Sequence, residues 1–318
     1  MTNQASERAL ANVKTIAVAG MGTMGRGIIQ SIATAGYEVK CYDVNEIELK
    51  RSIPLIEAMQ QVLVKAGMLT SDAAKESIKR IRTFQDLTEC LENAQLVIEV
   101  IPEILDAKLS FYNQIDKISE PNVIFASNTS GLSITQLAKA TNRQDKVAGF
   151  HFWNPAHLMP LIEVTKGEKT SDDTAELLLS FAQRLGKKPI LVRREVPGFI
   201  GNRLQYAVLR EALYLVQTGV ATPEDVDIAM KAGPGIRYSF LGPFETADLG
   251  GIDVFTNICK YLFKDLSSDD KPSSYMTNLV KSGNLGVKSG QGFYEYNNKT
   301  LIELLSERDR KLIKILSA

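Results

Sequence analysis

Along the first 190 residues or so, short apolar runs alternate with longer segments whose apolar positions recur every three or four residues. The runs at 15–19, 38–42, 96–101, 123–126, 147–150, 161–165 and 189–192 read as strands, and the segments between several of them as helices. That alternation predicts an α/β fold, a doubly wound parallel sheet with helices on both faces. Between the second and third of these runs lie two helical patterns, 46–66 and 72–80, broken at Gly67, which predict a helical-hairpin insertion large enough to wall a ligand site. After Arg194 the strand pattern stops. Residues 199–218 carry helical spacing, and Thr222-Pro223-Glu224-Asp225 has the form of an N-cap, a proline in the first turn and acids beside it. Further helices are expected at 243–263 and 274–281. The tail at 301–316 can present Leu304, Leu305, Leu312 and Ile315 on one side. The chain therefore divides into an N-terminal α/β domain, 1–193, and an all-α C-terminal domain, 194–318.

Composition narrows this picture. The chain has 318 residues, 44% hydrophobic and 23% charged, enough for a substantial core. Single cores rarely exceed about 250 residues, which agrees with two domains. With 37 basic and 37 acidic residues the net charge is zero, so a dedicated nucleic-acid binder is not expected. Cys41, Cys90 and Cys259 are odd in number and far apart, offering neither a disulfide framework nor a CxxC metal knuckle, and no metal is expected. No stretch approaches the roughly 18 apolar residues of a membrane span. A cytoplasmic protein with no membrane partner is the expectation.

The first strand runs directly into Gly20-Met21-Gly22-Thr23-Met24-Gly25, a GxGxxG that opens a helix pattern ending near Gly36. In that context the glycines permit a tight turn and close approach to a pyrophosphate, while the helix N-terminus supplies free N–H groups. Asp43 ends the second strand, 23 positions after Gly20, near the spacing of the acid that binds an adenosine ribose. Together they predict a Rossmann-like dinucleotide site at Gly20, Gly22, Thr23, Met24, Gly25 and Asp43. A carboxylate repels a 2′-phosphate, and Val44 and Asn45 supply no arginine to receive one, so NAD is expected over NADP.

Only two histidines exist. His151 follows an apolar strand and stands where a doubly wound sheet binds ligands, beyond the strand's carboxyl end. Glu163 lies within the next apolar strand, where an unpartnered carboxylate would be costly to bury, and pairing with His151 would resolve that cost. His157 reads as a loop histidine and Trp153 as a packing aromatic.

Five ordered segments are similar to the 3-hydroxyacyl-CoA dehydrogenase family: Ser127-Asn128-Thr129-Ser130, His151-Phe152-Trp153-Asn154-Pro155, Leu161-Ile162-Glu163-Val164, residues 197–203 (PGFIGNR) and residues 286–294 (GVKSGQGFY). The resemblance runs from about Lys14 to Tyr296. It implies NAD-linked oxidation of an L-3-hydroxyacyl-CoA to the 3-ketoacyl-CoA by a two-domain protomer that forms a homodimer through its helical domain. It matches His151 to the catalytic histidine, Glu163 to its orienting glutamate, Ser130 to a serine on the substrate oxygen and Asn202 to an asparagine from the helical domain. Asn128 falls near the nicotinamide, and Glu103 and Lys108 match cofactor-contacting positions.

The chemistry suits these residue types: a histidine can accept the hydroxyl proton of a secondary alcohol near neutral pH while the cofactor takes hydride. Relatives such as L-gulonate 3-dehydrogenase, which is lambda-crystallin-like, and L-carnitine dehydrogenase oxidise free hydroxy acids with similar motifs. Acyl-CoA enzymes often carry lysine before the Leu-Val-Glu segment, whereas this chain has Pro160, as the gulonate type does. Against that, Lys50, Arg51, Lys65, Lys75, Lys79, Arg80 and Arg82 crowd the hairpin and could meet CoA phosphates. A short-chain 3-hydroxyacyl-CoA is the leading expectation, a small free hydroxy acid the alternative, and a non-catalytic crystallin-like or binding protein a third. β-Hydroxyacid dehydrogenases share the architecture but use a helical-domain lysine, and 199–216 contains none.

Overall fold

The computed structural model describes residues 10–296 and 299–317. These form two compact units, one made of the described residues up to Asn202 together with those from Arg308 onward, the other of Arg203–Glu307.

The first unit is built on eight strands: β1 (Thr15–Ala19), β2 (Glu38–Tyr42), β3 (Ile81–Phe84), β4 (Leu96–Glu99), β5 (Ile124–Ser127), β6 (Val147–Phe152), β7 (Leu161–Lys166) and β8 (Lys188–Val192). Their order in the sheet is β3-β2-β1-β4-β5-β6-β7-β8. The first six run parallel, while β7 is antiparallel to β6 and β8 follows β7. The chain reverses its winding between β1 and β4, which opens a crevice at the carboxyl ends of those strands. The strand at 81–84 was not expected: it is four residues long, at the edge, and its middle pair Arg82 and Thr83 is exposed, so it lacks the apolar run that marks the others.

Helices cover both faces: α1 (Thr23–Thr34), α2 (Glu46–Lys65), α3 (Ser71–Lys79), α4 (Leu87–Leu91), α5 (Leu105–Ile118), α6 (Ile134–Lys139) and α7 (Asp172–Arg184). Strand alternation sorts the side chains between them. Ile16, Val18, Leu96, Ile98, Phe150 and Ile162 enter a core with α1 and α7, whereas Ala17, Ala19, Val97 and Phe125 enter the opposite core with α4, α5 and α6. The same alternation turns His151 and Glu163 away from the face that buries Phe150, Phe152, Ile162 and Val164. The hairpin expected at 46–80 is α2 and α3, joined through Gly67 at φ 73°.

The second unit consists of helices: most of α8 (Gly201–Gln217), then α9 (Pro223–Ala232), α10 (Pro234–Tyr238), α11 (Pro243–Gly250), α12 (Ile252–Leu262), α13 (Ser274–Lys281) and the start of α14 (Leu301–Leu316). Gly251, at φ 91°, splits the expected 243–263 helix into two. Among the described residues no helix is long and apolar enough to cross a membrane.

The ring of Phe181 on α7 is fully buried between Tyr37, edge-on at 5.2 Å, and Phe150 on β6 at 5.9 Å. Phe181→Ala is expected to destabilise the first unit by about 3–5 kcal/mol, read as a lower urea midpoint at unchanged slope.

Candidate active site

The crevice beyond β1 and β4 is a cleft of about 540 Å³ lined by the glycine-rich turn, the end of β2, the β4–α5 connection and the residues after β5. A Cβ on Gly25 would fall 1.9 Å from the Gly20 carbonyl oxygen, so only glycine lets α1 start against the turn. A Cβ on Gly22 would meet nothing within 4 Å: it would project into open space at the N-terminus of α1, which has no side-chain cap. The first-turn N–H groups thus face a cradle suited to an anion. Asp43 Oδ2 accepts from the Met21 N–H at 2.8 Å and Oδ1 from Asn45 N–H at 2.9 Å, fixing the carboxylate beside that cradle. The set fits a dinucleotide: a glycine turn, free helix N–H groups and an acid at the ribose position.

His151 and Glu163 stand directly opposite each other in the antiparallel β6–β7 ladder, where facing Cβ atoms lie about 4.5–5.5 Å apart. The 12-residue spacing is the arithmetic of that pairing. His151 Nδ1 lies 2.8 Å from Glu163 Oε2, with the imidazole 7% and the carboxylate 0% exposed. Oε2 also accepts the indole N–H of Trp153 at 3.1 Å, and Oε1 accepts the backbone N–H groups of Ile200 and Gly201, each at 2.9 Å. Burial alone would raise this carboxyl, but the bonds from His151, Gly201, Ile200 and Trp153 outweigh it and hold Glu163 below the usual carboxylate range.

Local backbone geometry supplies those two N–H groups. Gly198 at φ 77° and Phe199 at φ 52° form a left-handed turn after Pro197. Phe199 tolerates it because its ring is buried 5.8 Å from the His151 ring and its N–H is bonded to Val196 O. A Cβ on Gly201 would strike the Trp153 indole at 2.3 Å, so glycine there admits both the ring and the N–H.

Asn202 follows at once, and its Nδ2 donates to the Ser130 carbonyl at 3.1 Å. The Ser130 N–H donates to Glu103 Oε1 at 2.9 Å, and the Thr129 hydroxyl donates to the same oxygen at 2.5 Å. Lys108, 1% exposed, donates to Glu99 Oε1 at 2.5 Å and the Ile101 carbonyl at 3.2 Å, and lies 3.3 Å from Glu103. Ser127 donates to the other Glu99 oxygen at 2.7 Å. Asn128 Oδ1 accepts from the Phe152 N–H at 2.8 Å, tying the loop after β5 to the strand that carries His151.

One connected set thus joins His151, Glu163, Asn202, Ser130, Glu103 and Lys108, while Gly20, Gly22, Thr23, Met24, Gly25, Asp43 and Asn128 line the cleft. His151 lies inside β6, which runs two residues longer than expected. Trp153, read as packing only, proves to be a donor to Glu163; its indole N–H was the one available signal. The donors at 200 and 201 are backbone groups and carry no side-chain signature. His157 lies apart: burial takes it down to about 4 despite Asp309, so it is neutral, and burial takes its neighbour Lys187 down to about 8. Lys187 caps the Ala156 and Met159 carbonyls at 2.7 and 2.9 Å and so pins the loop after Trp153. Among the described residues no cluster of three or more His, Cys, Asp or Glu is arranged to hold a metal.

Comparison with known proteins identifies the family. The family model for the 3-hydroxyacyl-CoA dehydrogenase NAD binding domain matches residues 15–196, and that for the family's C-terminal domain matches 198–296. The chain is 40% identical over 289 residues to a probable 3-hydroxybutyryl-CoA dehydrogenase of Bacillus subtilis, covering 91% of this chain and 99% of that one. It is 34% identical over 303 residues to a 5-formyl-3-hydroxy-2-methylpyridine 4-carboxylate 5-dehydrogenase of Mesorhizobium japonicum, covering 95% and 97%. A solved structure of a 5-dehydrogenase for that pyridine acid, described as an NAD+-dependent dismutase, superposes with a TM-score of 0.88 at 33% identity over 95% and 97% of the two chains. The (S)-3-hydroxybutyryl-CoA dehydrogenase of Ralstonia eutropha gives 0.75 at 34% identity over 89% and 99%. With both halves matched in order, and a Rossmann cleft and an acid–histidine pair already in place, the chain belongs to the 3-hydroxyacyl-CoA dehydrogenase family of NAD-dependent oxidoreductases.

Proposed function

We propose that the protein oxidises a short-chain L-3-hydroxyacyl-CoA to the 3-ketoacyl-CoA with NAD. The observation that carries this reading is the 2.8 Å contact between His151 and a Glu163 held as a carboxylate. Glu163 accepts the Nδ1 proton, which leaves Nε2 free to take the substrate's hydroxyl proton and stabilises the imidazolium that results. In reduction His151 returns the proton. The side chains of Ser130 and Asn202 hold the alcohol or ketone oxygen. Gly20, Gly22, Thr23, Met24 and Gly25 hold the pyrophosphate, Asp43 the adenosine ribose, and Glu103, Lys108 and Asn128 border the nicotinamide end. Bound NAD supplies the hydride-accepting chemistry. The functional division is taken at 193/194, with the cofactor in the first part and substrate contacts and dimerisation in the second.

The thioester substrate is supported by the names of the relatives of Bacillus subtilis and Ralstonia eutropha. A second reading, a small free carboxylic acid, is favoured by the hairpin's charges. Lys50, Arg51 and Lys79 are paired with Glu46, Glu48 and Glu76 on their own helices, which leaves fewer cations for CoA phosphates. The pyridine-acid relative, matched over 95% of this chain, points the same way.

A homodimer through the helical unit is supported by its lack of an interior. Among its described residues only Leu213 and Ser267 are buried, while Phe244 is 85% and Phe263 68% exposed. Apolar patches of this extent mark an association surface.

Three outcomes are expected. His151→Gln abolishes turnover while leaving the NADH Kd within a few-fold, and Glu163→Gln lowers kcat by about 10²–10⁴-fold, both read by stopped-flow and titration. In NADH absorbance assays, kcat/KM for L-3-hydroxybutyryl-CoA exceeds that for L-gulonate, L-carnitine and a pyridine hydroxy acid by roughly 100-fold or more; the reverse order moves the protein to free acids. Sedimentation equilibrium gives twice the 35.1 kDa chain mass, and replacing Phe244 and Phe263 with Glu gives the monomer.

A further inference from the structure

We propose that Glu48 is a second determinant of NAD over NADP, holding Arg26 and Arg51 so that the adenosine end of the cleft offers no free cation to a ribose 2′-phosphate. The inference rests on the cofactor reading above and concerns a residue that the glycine motif and Asp43 do not include.

Glu48 is the third residue of α2 and lines the cleft beside Asp43, Val44 and Asn45. Its Oε2 accepts Arg26 Nη1 at 3.1 Å and Arg51 Nε at 2.8 Å, and Oε1 pairs with Arg51 Nη2. The carboxylate is 19% exposed, Arg26 12% and Arg51 53%. Arg26 Nη1 also donates to the Met21 carbonyl at 2.9 Å, and the N–H of Met21 is the one that Asp43 accepts. Ser52 Oγ reaches that carbonyl at 3.2 Å and the Glu48 carbonyl at 2.6 Å. One carboxylate therefore occupies two guanidinium groups and fastens α2 to the glycine-rich turn.

The charge arithmetic makes this arrangement consequential. Asp43 and Glu48 balance Arg26 and Arg51, so the adenosine end is neutral with all four groups engaged. Lys108 is the one cation among the cleft's described lining residues, and it is buried against Glu99 and Glu103. Take away the Glu48 charge and Arg51, a planar five-donor group that is half exposed, loses its carboxylate partner, while Arg26 keeps the Met21 carbonyl; NADP-binding sites of this fold use a nearby arginine for the 2′-phosphate. The N-terminus of α2 adds positive potential there, which Glu48 in its first turn offsets. Asp43 repels the phosphate; Glu48 withholds its partners.

The test is isothermal titration of the full-length protein with NADH and NADPH, comparing wild type, Glu48→Gln, Glu48→Asp and Glu48→Gln combined with Arg51→Ala. Expected is wild-type binding of NADH with much weaker NADPH. Glu48→Gln should tighten NADPH about tenfold, the scale of one charge-assisted hydrogen bond, with NADH changed no more than about threefold. That gain should shrink as salt rises, be absent in Glu48→Asp, and be at least halved by the added Arg51→Ala. An unchanged NADPH Kd in Glu48→Gln, or an equal loss for both cofactors, overturns the proposal. A wild type that fails to bind NADH overturns the cofactor reading itself and is told apart on the first titration.

Discussion

Glu163 is a carboxylate with no exposure to water, and much of the geometry around the candidate site exists to make that tolerable. An ionised carboxyl in such a place needs its lone pairs filled, and here four donors from two separate segments, 151–153 and 200–201, do so. The requirement fixes the β6–β7 register, the left-handed turn at Gly198 and Phe199, glycine at 201 and an indole at 153. Asn202 stands where it does because the two residues before it are committed to Glu163. The pair is thus, first of all, a constraint on the backbone.

A second buried charge organises the other side of the cleft. Lys108 against Glu99 is a pair in which either partner alone would be an uncompensated interior charge. Burial leaves Glu99 above the usual carboxylate range, and Lys108, Ser127 and the Ile101 N–H offset only part of that rise. From this pair the bonds run through Glu103 to the backbone of Ser130. The residue expected to hold the substrate oxygen and the floor of the cofactor cleft therefore share one polar scaffold, with side chains locked by their partners rather than by packing alone.

The fold was legible in the sequence wherever burial on both faces leaves an unbroken apolar run, as at 15–19, 96–98 and 147–150. It failed at 81–84, where an edge strand buries too little to leave a signature. The turn of direction at β7 left no mark, since a buried strand reads alike both ways, although the His151–Glu163 spacing is its consequence. In the site, what could be read was side-chain chemistry tied to a fixed offset: the glycines, Asp43, His151 and Glu163. The N–H donors of Ile200 and Gly201 were not readable because every residue but proline has one. The Arg26–Glu48 contact was hidden for another reason: it joins two helices that only the folded sheet brings together.

The first unit is discontinuous in the chain, because the segment from Arg308 onward, with Ile313 buried, packs as part of it. During synthesis its sheet and cleft emerge about a hundred residues before that last piece does. At the usual pace of about 5–20 residues per second, the nascent domain waits roughly 5–20 s with one flank open. For that interval the surface destined for α14 is a place where a chaperone, or the helix of a neighbouring nascent chain, can dock first.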